Sequence, residues 1–243
     1  MLALRSVLFY LGMWLATLVV VLFVPLVLPL DPHVRYRYVA LWGRFVLWWL
    51  RVTCGVTYRV EGREHIPNSP SVVLAKHQST WETIAFQSIF PTQTWVLKKE
   101  LLRIPFFGWG LAAVWPIAID RKAGREAVKQ VIAQGTERLK GRFWVVVFPE
   151  GTRIAPGVRG RYATGGAALA RHAEVPVVPV AHNGGEHWRR DSFIKIPGEI
   201  QVRIGPVIAT TGKSAAAITQ EAESWIEHAM DTLQTTSRSI RTA

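Results

Sequence analysis

The sequence predicts an α/β fold: a mostly parallel central sheet flanked by helices, preceded by an N-terminal hydrophobic helix pair. Three observations carry this. Residues 6–30 contain no charged side chain. Several later segments are nearly continuous apolar runs of strand length, as expected of strands covered on both faces. Patterns of helical period alternate with those runs, which argues for one layered α/β body. The chain has 243 residues, of which 49% are hydrophobic and 19% charged. That is long enough to bury a large core and too apolar to be disordered.

Residues 6–30 read SVLFYLGMWLATLVVVLFVPLVLPL. About 20 apolar residues span a bilayer core. A cleaved signal peptide would need a shorter apolar run and a small-residue cleavage site; here Leu28-Pro29-Leu30 leads into Asp31-Pro32. In residues 34–52, Arg37, Arg44 and Arg51 recur every seven residues among Tyr36, Tyr38, Trp42, Phe45, Trp48 and Trp49. Basic and aromatic side chains mixed along an apolar helix suit the headgroup boundary. Residues 6–52 are therefore expected to be two helices joined near Asp31-Pro32-His33, dipping into or crossing one membrane.

Residues 1–53 then form a membrane-associated segment and 54–243 the α/β domain. Strands are predicted at 56–61, 71–75 and 94–97, which are short, β-rich and bounded by turn residues. The apolar runs 115–119, 143–148 and 175–181 are predicted as buried strands. Val128, Val131, Ile132 and Leu139 fall on one helical face. Ile218, Ala222, Trp225, Ile226, Ala229 and Leu233 mark an amphipathic terminal helix.

Charge narrows the partner. Lys plus Arg number 29 against 17 Asp plus Glu, a net charge of +12. An anionic partner follows: nucleic acid, a phospholipid surface or a phosphorylated substrate. The 11 tryptophans favour a membrane interface. The basic residues are not gathered in an arm and no recognition motif is present, so nucleic acid is set aside. The single cysteine, Cys54, excludes an intrachain disulfide and a Cys-cluster metal site. There is no G-x-S-x-G elbow and no H-E-x-x-H pair. Thr211-Gly212-Lys213-Ser214 ends like a phosphate-binding loop, but Val207 stands where its first glycine is required.

Two segments carry chemistry. His77-Gln78-Ser79-Thr80-Trp81-Glu82 follows the strand at 71–75, where α/β sheets place their sites. A histidine can take a proton from an alcohol at neutral pH, and a carboxylate on its other nitrogen would fix the tautomer. On one ideal helix, residues five apart point about 140° away from each other. The pair meets only if His77 lies in the loop and Glu82 in the first helical turn. Ser79 and Glu82 equally form an S-x-x-E capping box, in which Glu82 bonds backbone N–H groups alone. Spacing leaves the two readings level. The second segment is Phe148-Pro149-Glu150-Gly151-Thr152-Arg153, after the strongest buried strand. Gly151 permits a tight turn, Glu150 can accept from a hydroxyl, and Arg153 offers a fork for phosphate. Alone, it also reads as an ordinary strand-to-loop turn.

Together these residues resemble the glycerolipid acyltransferase family. The family's first block, a histidine, four residues and an aspartate, is similar to His77 through Glu82. Its second block ends in Ile-Asp-Arg, as do Ile119-Asp120-Arg121. Phe148 through Arg153 matches the third block in full, and Val175-Pro176-Val177-Val178-Pro179-Val180 resembles the fourth. The resemblance covers residues 70–182 in the family's order. Glu82 departs by one methylene from the usual aspartate, and Trp115-Pro116 replaces a glycine and an aliphatic residue.

The resemblance implies acyl transfer from acyl-CoA or an acyl carrier protein to the 2-hydroxyl of a lysophosphatidic acid, giving phosphatidic acid. It implies His77 as base, Glu82 as its orienting acid, Arg121 and Arg153 on the phosphate, and Glu150 near the glycerol. Phe148, Pro149, Gly151 and Thr152 would complete the substrate-binding block. It implies no metal and no cofactor, an anionic phospholipid membrane as partner, and a cell-membrane location, the inner membrane in a bacterium, with the catalytic domain facing the cytoplasm. Another lyso-lipid acceptor, such as a lyso-ornithine lipid, and a non-catalytic lipid-binding protein are the alternatives.

Overall fold

The structure, a computed structural model, describes residues 1–104, 107–120 and 123–242, with backbone alone for 107 and 234–242. Helix α1 (Leu2–Val27) and helix α2 (Pro32–Cys54) form the predicted pair, and they run antiparallel. Asp31 begins α2 by accepting from the His33 N–H, with Pro32 in the first turn, a position where proline costs no hydrogen bond. Trp42 Nε1 donates to Thr17 Oγ1, Tyr38 OH to the Val20 carbonyl and Trp49 Nε1 to the Leu8 carbonyl. Trp49 comes this close because Gly12 has no side chain; a Cβ there would lie 2.1 Å from the indole nitrogen.

Among the described residues, α1 alone is long and apolar enough to cross a membrane, and 17% of its most apolar window is buried. Leu11, Trp14, Leu15, Leu18 and Leu22 stand exposed on it. On α2 the predicted basic stripe, Arg37, Arg44 and Arg51, is exposed beside Leu41, Phe45 and Trp48.

The remaining chain builds one sheet from β1 (Val56–Glu61), β2 (Val72–Ala75), β3 (Gln93–Lys98), β4 (Ile117–Ile119), β5 (Trp144–Val147), β6 (Val177–His182) and β7 (Gly198–Ile204). Their order is β1-β7-β6-β2-β5-β3-β4. All neighbours are parallel except β6 and β7, so β1 and β7 run against the other five. Every residue of β2, β5 and β6 is buried, which is why these strands read as unbroken apolar runs. Helices α3 (Trp81–Ile89), α4 (Phe107–Ala113), α5 (Arg125–Lys140), α6 (Gly165–His172), α7 (Gly184–His187) and α8 (Ala215–Thr242) cover the sheet.

Three differences from expectation have physical causes. The strand expected at 115–119 begins only at Ile117. Trp115 has φ +53°, its carbonyl is taken by Thr94 Oγ1 and Arg138 Nε, and Pro116 has no N–H for a ladder. Strand β7 was not expected. It alternates, burying Ile200, Val202 and Ile204 between more exposed Glu199, Gln201 and Arg203, so it is not a continuous apolar run. Finally, the helix pair shares its core with the sheet. Phe9, Val46, Leu47 and Leu50 belong to one buried cluster with Val73, Phe86, Val146 and Val180. The edge near residue 53 is a join in the chain, at Cys54–Gly55, across continuous packing.

Candidate active site

Strands β2 and β5 are neighbours at the centre of the sheet and run the same way. Their C-terminal ends therefore deliver the two candidate segments side by side. His77 comes off β2 and Phe148 off β5, and their rings stack with centroids 4.1 Å apart. The main chain of His77 is held on both sides by the second segment and the residue after it. Its N–H donates to Glu150 Oε2 at 2.8 Å, and its carbonyl accepts from the Ile154 N–H at 2.7 Å.

Glu82 stands in the first turn of α3, and its Oε1 accepts from His77 Nδ1 at 2.8 Å. The same oxygen accepts from the backbone N–H of Gln78 and of Ser79, each at 2.8 Å. Ser79 Oγ in turn accepts from the Trp81 N–H. The two sequence readings of Glu82 thus hold at once: one oxygen secures the loop before the helix and also orients the histidine. Because Nδ1 carries the shared proton, Nε2 of His77 is left with its lone pair. Burial alone would raise the Glu82 carboxyl. The hydrogen bonds from His77 Nδ1 and the Ser79 N–H favour the charged carboxylate and hold it below the usual carboxylate range.

His182, at the end of β6, is wholly buried behind this pair. Its Nε2 donates to the Lys76 carbonyl at 2.8 Å, and its Nδ1 accepts from the Gly184 N–H. Nε2 lies 4.0 Å from the second Glu82 oxygen. Burial pulls its pKa below the ordinary imidazole value, against the opposing charge of Glu82, so it is a neutral support.

A cavity of about 370 Å³ opens at His77. His77, Ser79, Thr80 and Arg153 form its polar mouth, with the Phe148 ring beside them. Beyond them the walls are mostly apolar, from Val20 and Val21 of α1, Val39 and Trp42 of α2, Ile84 of α3, and Leu111 and Val114 by α4, with Thr17, Thr83 and Gln87 among them. Arg153 Nη1 donates to Thr80 Oγ1 at 3.1 Å, which aims the guanidinium across the mouth.

The other predicted residues are placed as follows. Glu150 has no exposed side-chain surface and pairs with Lys76 Nζ at 2.6 Å. Burial pushes its carboxyl up, while Lys76 pulls it down. Its oxygens face Lys76 and the His77 N–H, so it braces the site from behind. Gly151 adopts φ +67° with open space around it, the turn only glycine makes without strain. Pro149 accepts from the Ala163 N–H, and Thr152 is exposed. Arg121 lies outside the described residues. Among those described, no group of three His, Cys, Asp or Glu side chains could hold a metal ion.

Sequence reasoning missed Lys76 and His182. His182 had a readable signal, since it ends a buried strand as His77 nearly does. Lys76 had none, because its partners lie far along the chain.

Comparison with known proteins identifies the family. A family model described as Acyltransferase matches residues 57–183. The chain is 46% identical over 235 residues to a 1-acyl-sn-glycerol-3-phosphate acyltransferase of Pseudomonas aeruginosa, covering 94% of this chain and 91% of that one. It is 29% identical over 196 residues to the mouse 1-acyl-sn-glycerol-3-phosphate acyltransferase alpha, covering 78% of this chain and 68% of that one. The crystal structure of the 1-acyl-sn-glycerophosphate acyltransferase PlsC from Thermotoga maritima superposes with a TM-score of 0.76 at 24% identity, over 96% of this chain and 98% of that one. At that identity the likeness speaks for the fold.

Proposed function

Since the chain belongs to the acyltransferase family, we propose that it transfers an acyl chain from acyl-CoA or an acyl carrier protein to the 2-hydroxyl of 1-acyl-glycerol-3-phosphate, giving phosphatidic acid. One observation carries the reading. The oriented His77–Glu82 pair stands at the mouth of an apolar cavity walled in part by α1 and α2. A lipid chain can occupy those walls while its polar end faces the histidine.

Nε2 of His77 accepts the proton of the 2-hydroxyl as its oxygen attacks the thioester carbonyl. Glu82 keeps Nδ1–H as the donor and stabilises the imidazolium that forms. The carbon–sulfur bond of the tetrahedral intermediate then breaks, and the imidazolium returns its proton to the departing thiolate. An ester and a free thiol result. Phe148 holds the imidazole plane by stacking. Arg153 binds the acceptor's phosphate at the mouth, and Arg121 is proposed to share it. Phe148 through Arg153 supply the turn that presents these groups. No metal or cofactor enters the balance of these steps.

α1 anchors the protein in an anionic phospholipid membrane, with the exposed arginines of α2 at its headgroups. The catalytic body faces the cytoplasm, where thioester donors are made; in a bacterium this is the inner membrane. The test is His77→Ala in detergent micelles, measuring thiol release and phosphatidic acid with both donor types. Turnover is lost while the melting temperature and membrane partition stay as in the wild type. Unchanged turnover overturns the proposal. Equal wild-type rates with a lyso-ornithine lipid would overturn the choice of acceptor.

A further inference from the structure

We propose that Glu227, on α8, is a positioning residue for acyl transfer, acting through Lys76 and Glu150 on the main chain of His77; this rests on the acyltransferase reading of the His77 site. Lys76 precedes the histidine directly and is 1% exposed. Its Nζ meets Glu150 Oε1 at 2.6 Å, Glu227 Oε1 at 2.8 Å and the Val158 carbonyl at 3.3 Å. Three donors thus find three acceptors. Glu150 then uses its other oxygen for the His77 N–H at 2.8 Å.

Glu227 is itself fixed. Its Oε1 also accepts from Tyr162 OH at 2.8 Å, and Arg159 Nε stands 3.8 Å from its Oε2 at the rim. Tyr162, Arg159 and Val158 all belong to the loop that follows Arg153. One carboxylate on the terminal helix therefore gathers that loop and the lysine before His77.

The energetics favour a positional role over a stabilising one. Burying one cation between two carboxylates costs desolvation, and apolar side chains of the same volume commonly hold a fold as well or better. Apolar side chains could not aim the Glu150 oxygen at the His77 N–H. Without Glu227, Nζ is drawn toward Glu150 and Val158, and the carboxylate that holds His77 turns with it. Displacements of about 1 Å at a reacting group cost about a hundredfold in rate.

The experiment compares Glu227→Met, which fills the same space without an acceptor, with Glu227→Gln, which keeps an oxygen. Steady-state rates with lysophosphatidic acid and acyl-CoA are measured in micelles beside thermal melting. In Glu227→Met, kcat falls tenfold or more, both KM values stay within twofold, and the melting temperature does not fall in step. Glu227→Gln restores most of kcat. In a Lys76→Met background, Glu227→Met costs no further kcat, since its route to His77 is already cut. Should Lys76→Met fail to fold, the Gln rescue decides the question.

An unchanged kcat in Glu227→Met, an effect on KM alone, or equal loss in the Gln and Met variants overturns the proposal. A wild-type chain that turns over no lysophosphatidic acid would instead defeat the functional reading. The ring ¹⁵N signals of His77, assigned by their loss in His77→Ala, then carry the test. They shift in Glu227→Met under this proposal, and unshifted signals refute it.

Discussion

Replacing Glu82 in two ways separates its reach from its charge. Oε1 accepts three hydrogen bonds at 2.8 Å, from His77 Nδ1 and the N–H groups of Gln78 and Ser79. Glu82→Asp removes one carbon–carbon bond of about 1.5 Å and withdraws the carboxylate to about 4 Å from those donors, beyond hydrogen-bond range. Two buried N–H groups then lose their acceptor, at about 1–3 kcal/mol each. The imidazole loses its orientation, worth about a hundredfold in kcat.

Glu82→Gln keeps an oxygen in place for all three donors and removes the charge. Unit charges about 4 Å apart interact by about 4 kcal/mol at an effective dielectric of about 20. At about 1.4 kcal/mol per tenfold, the ceiling on kcat loss is about 1000-fold. The new amide NH₂ takes the place of Oε2, 4.0 Å from His182 Nε2, so two donors face each other there. The outcomes are therefore opposed. The Asp variant loses more melting temperature, and the Gln variant loses more kcat. Thiol-release rates at saturating substrates and circular-dichroism melting in the same detergent measure both. An Asp variant that melts and turns over like the wild type would refute the reasoning. It would mean that the loop at 77–80 follows the shorter acid, which is the family's usual residue there.

The remaining predictions concern charge. Arg153→Ala removes the guanidinium held across the mouth by Thr80; one charged hydrogen bond of about 1.5–3 kcal/mol predicts a rise of about 10- to 100-fold in KM for lysophosphatidic acid, with the donor KM unchanged, and an unchanged acceptor KM would remove Arg153 from the phosphate. His182 is kept neutral by burial, with its pKa lowered, whereas the unfolded chain takes a proton there near pH 6.5. The stability this gives is complete above about pH 6.5 and is lost as pH falls toward the folded pKa, by up to about 1.4 kcal/mol per pH unit. Melting from about pH 7.5 to 5.5 should fall more steeply in the wild type than in His182→Gln; equal slopes would assign the acid sensitivity elsewhere.

The sheet's centre was legible because burial on both faces writes itself as runs such as Val145-Val146-Val147 and Val177-Val178. The expectation at 56–61 matches β1 residue for residue. Strand β7 announces itself by alternation instead, and its polar residues hid it from a search for apolar runs. The His77–Glu82 pair was legible as a choice between two roles, since spacing cannot say whether one carboxylate oxygen serves a loop and a ring together. The Lys76–Glu227 pair spans 151 residues of sequence, and neither residue breaks any local pattern. Only the fold's return of α8 against β6, the neighbour of β2, brings them into contact.

The uncharged N-terminal run looked alike under two accounts, a membrane helix and a buried core helix, because neither leaves it a polar face. The structure gives α1 both surroundings. Phe9 and Val24 are 0% exposed against the protein, while Leu11 and Leu15 on the same helix are more than 60% exposed. Val20 and Val21 lie between these extremes and line the cavity that ends at His77. An outward apolar face requires an apolar surround, and the inward face already borders the catalytic mouth. In the proposed function the same helix holds the protein to the lipid and forms a wall along which an acyl chain meets the histidine. The proposed anchor thereby also lines the cavity that reaches His77.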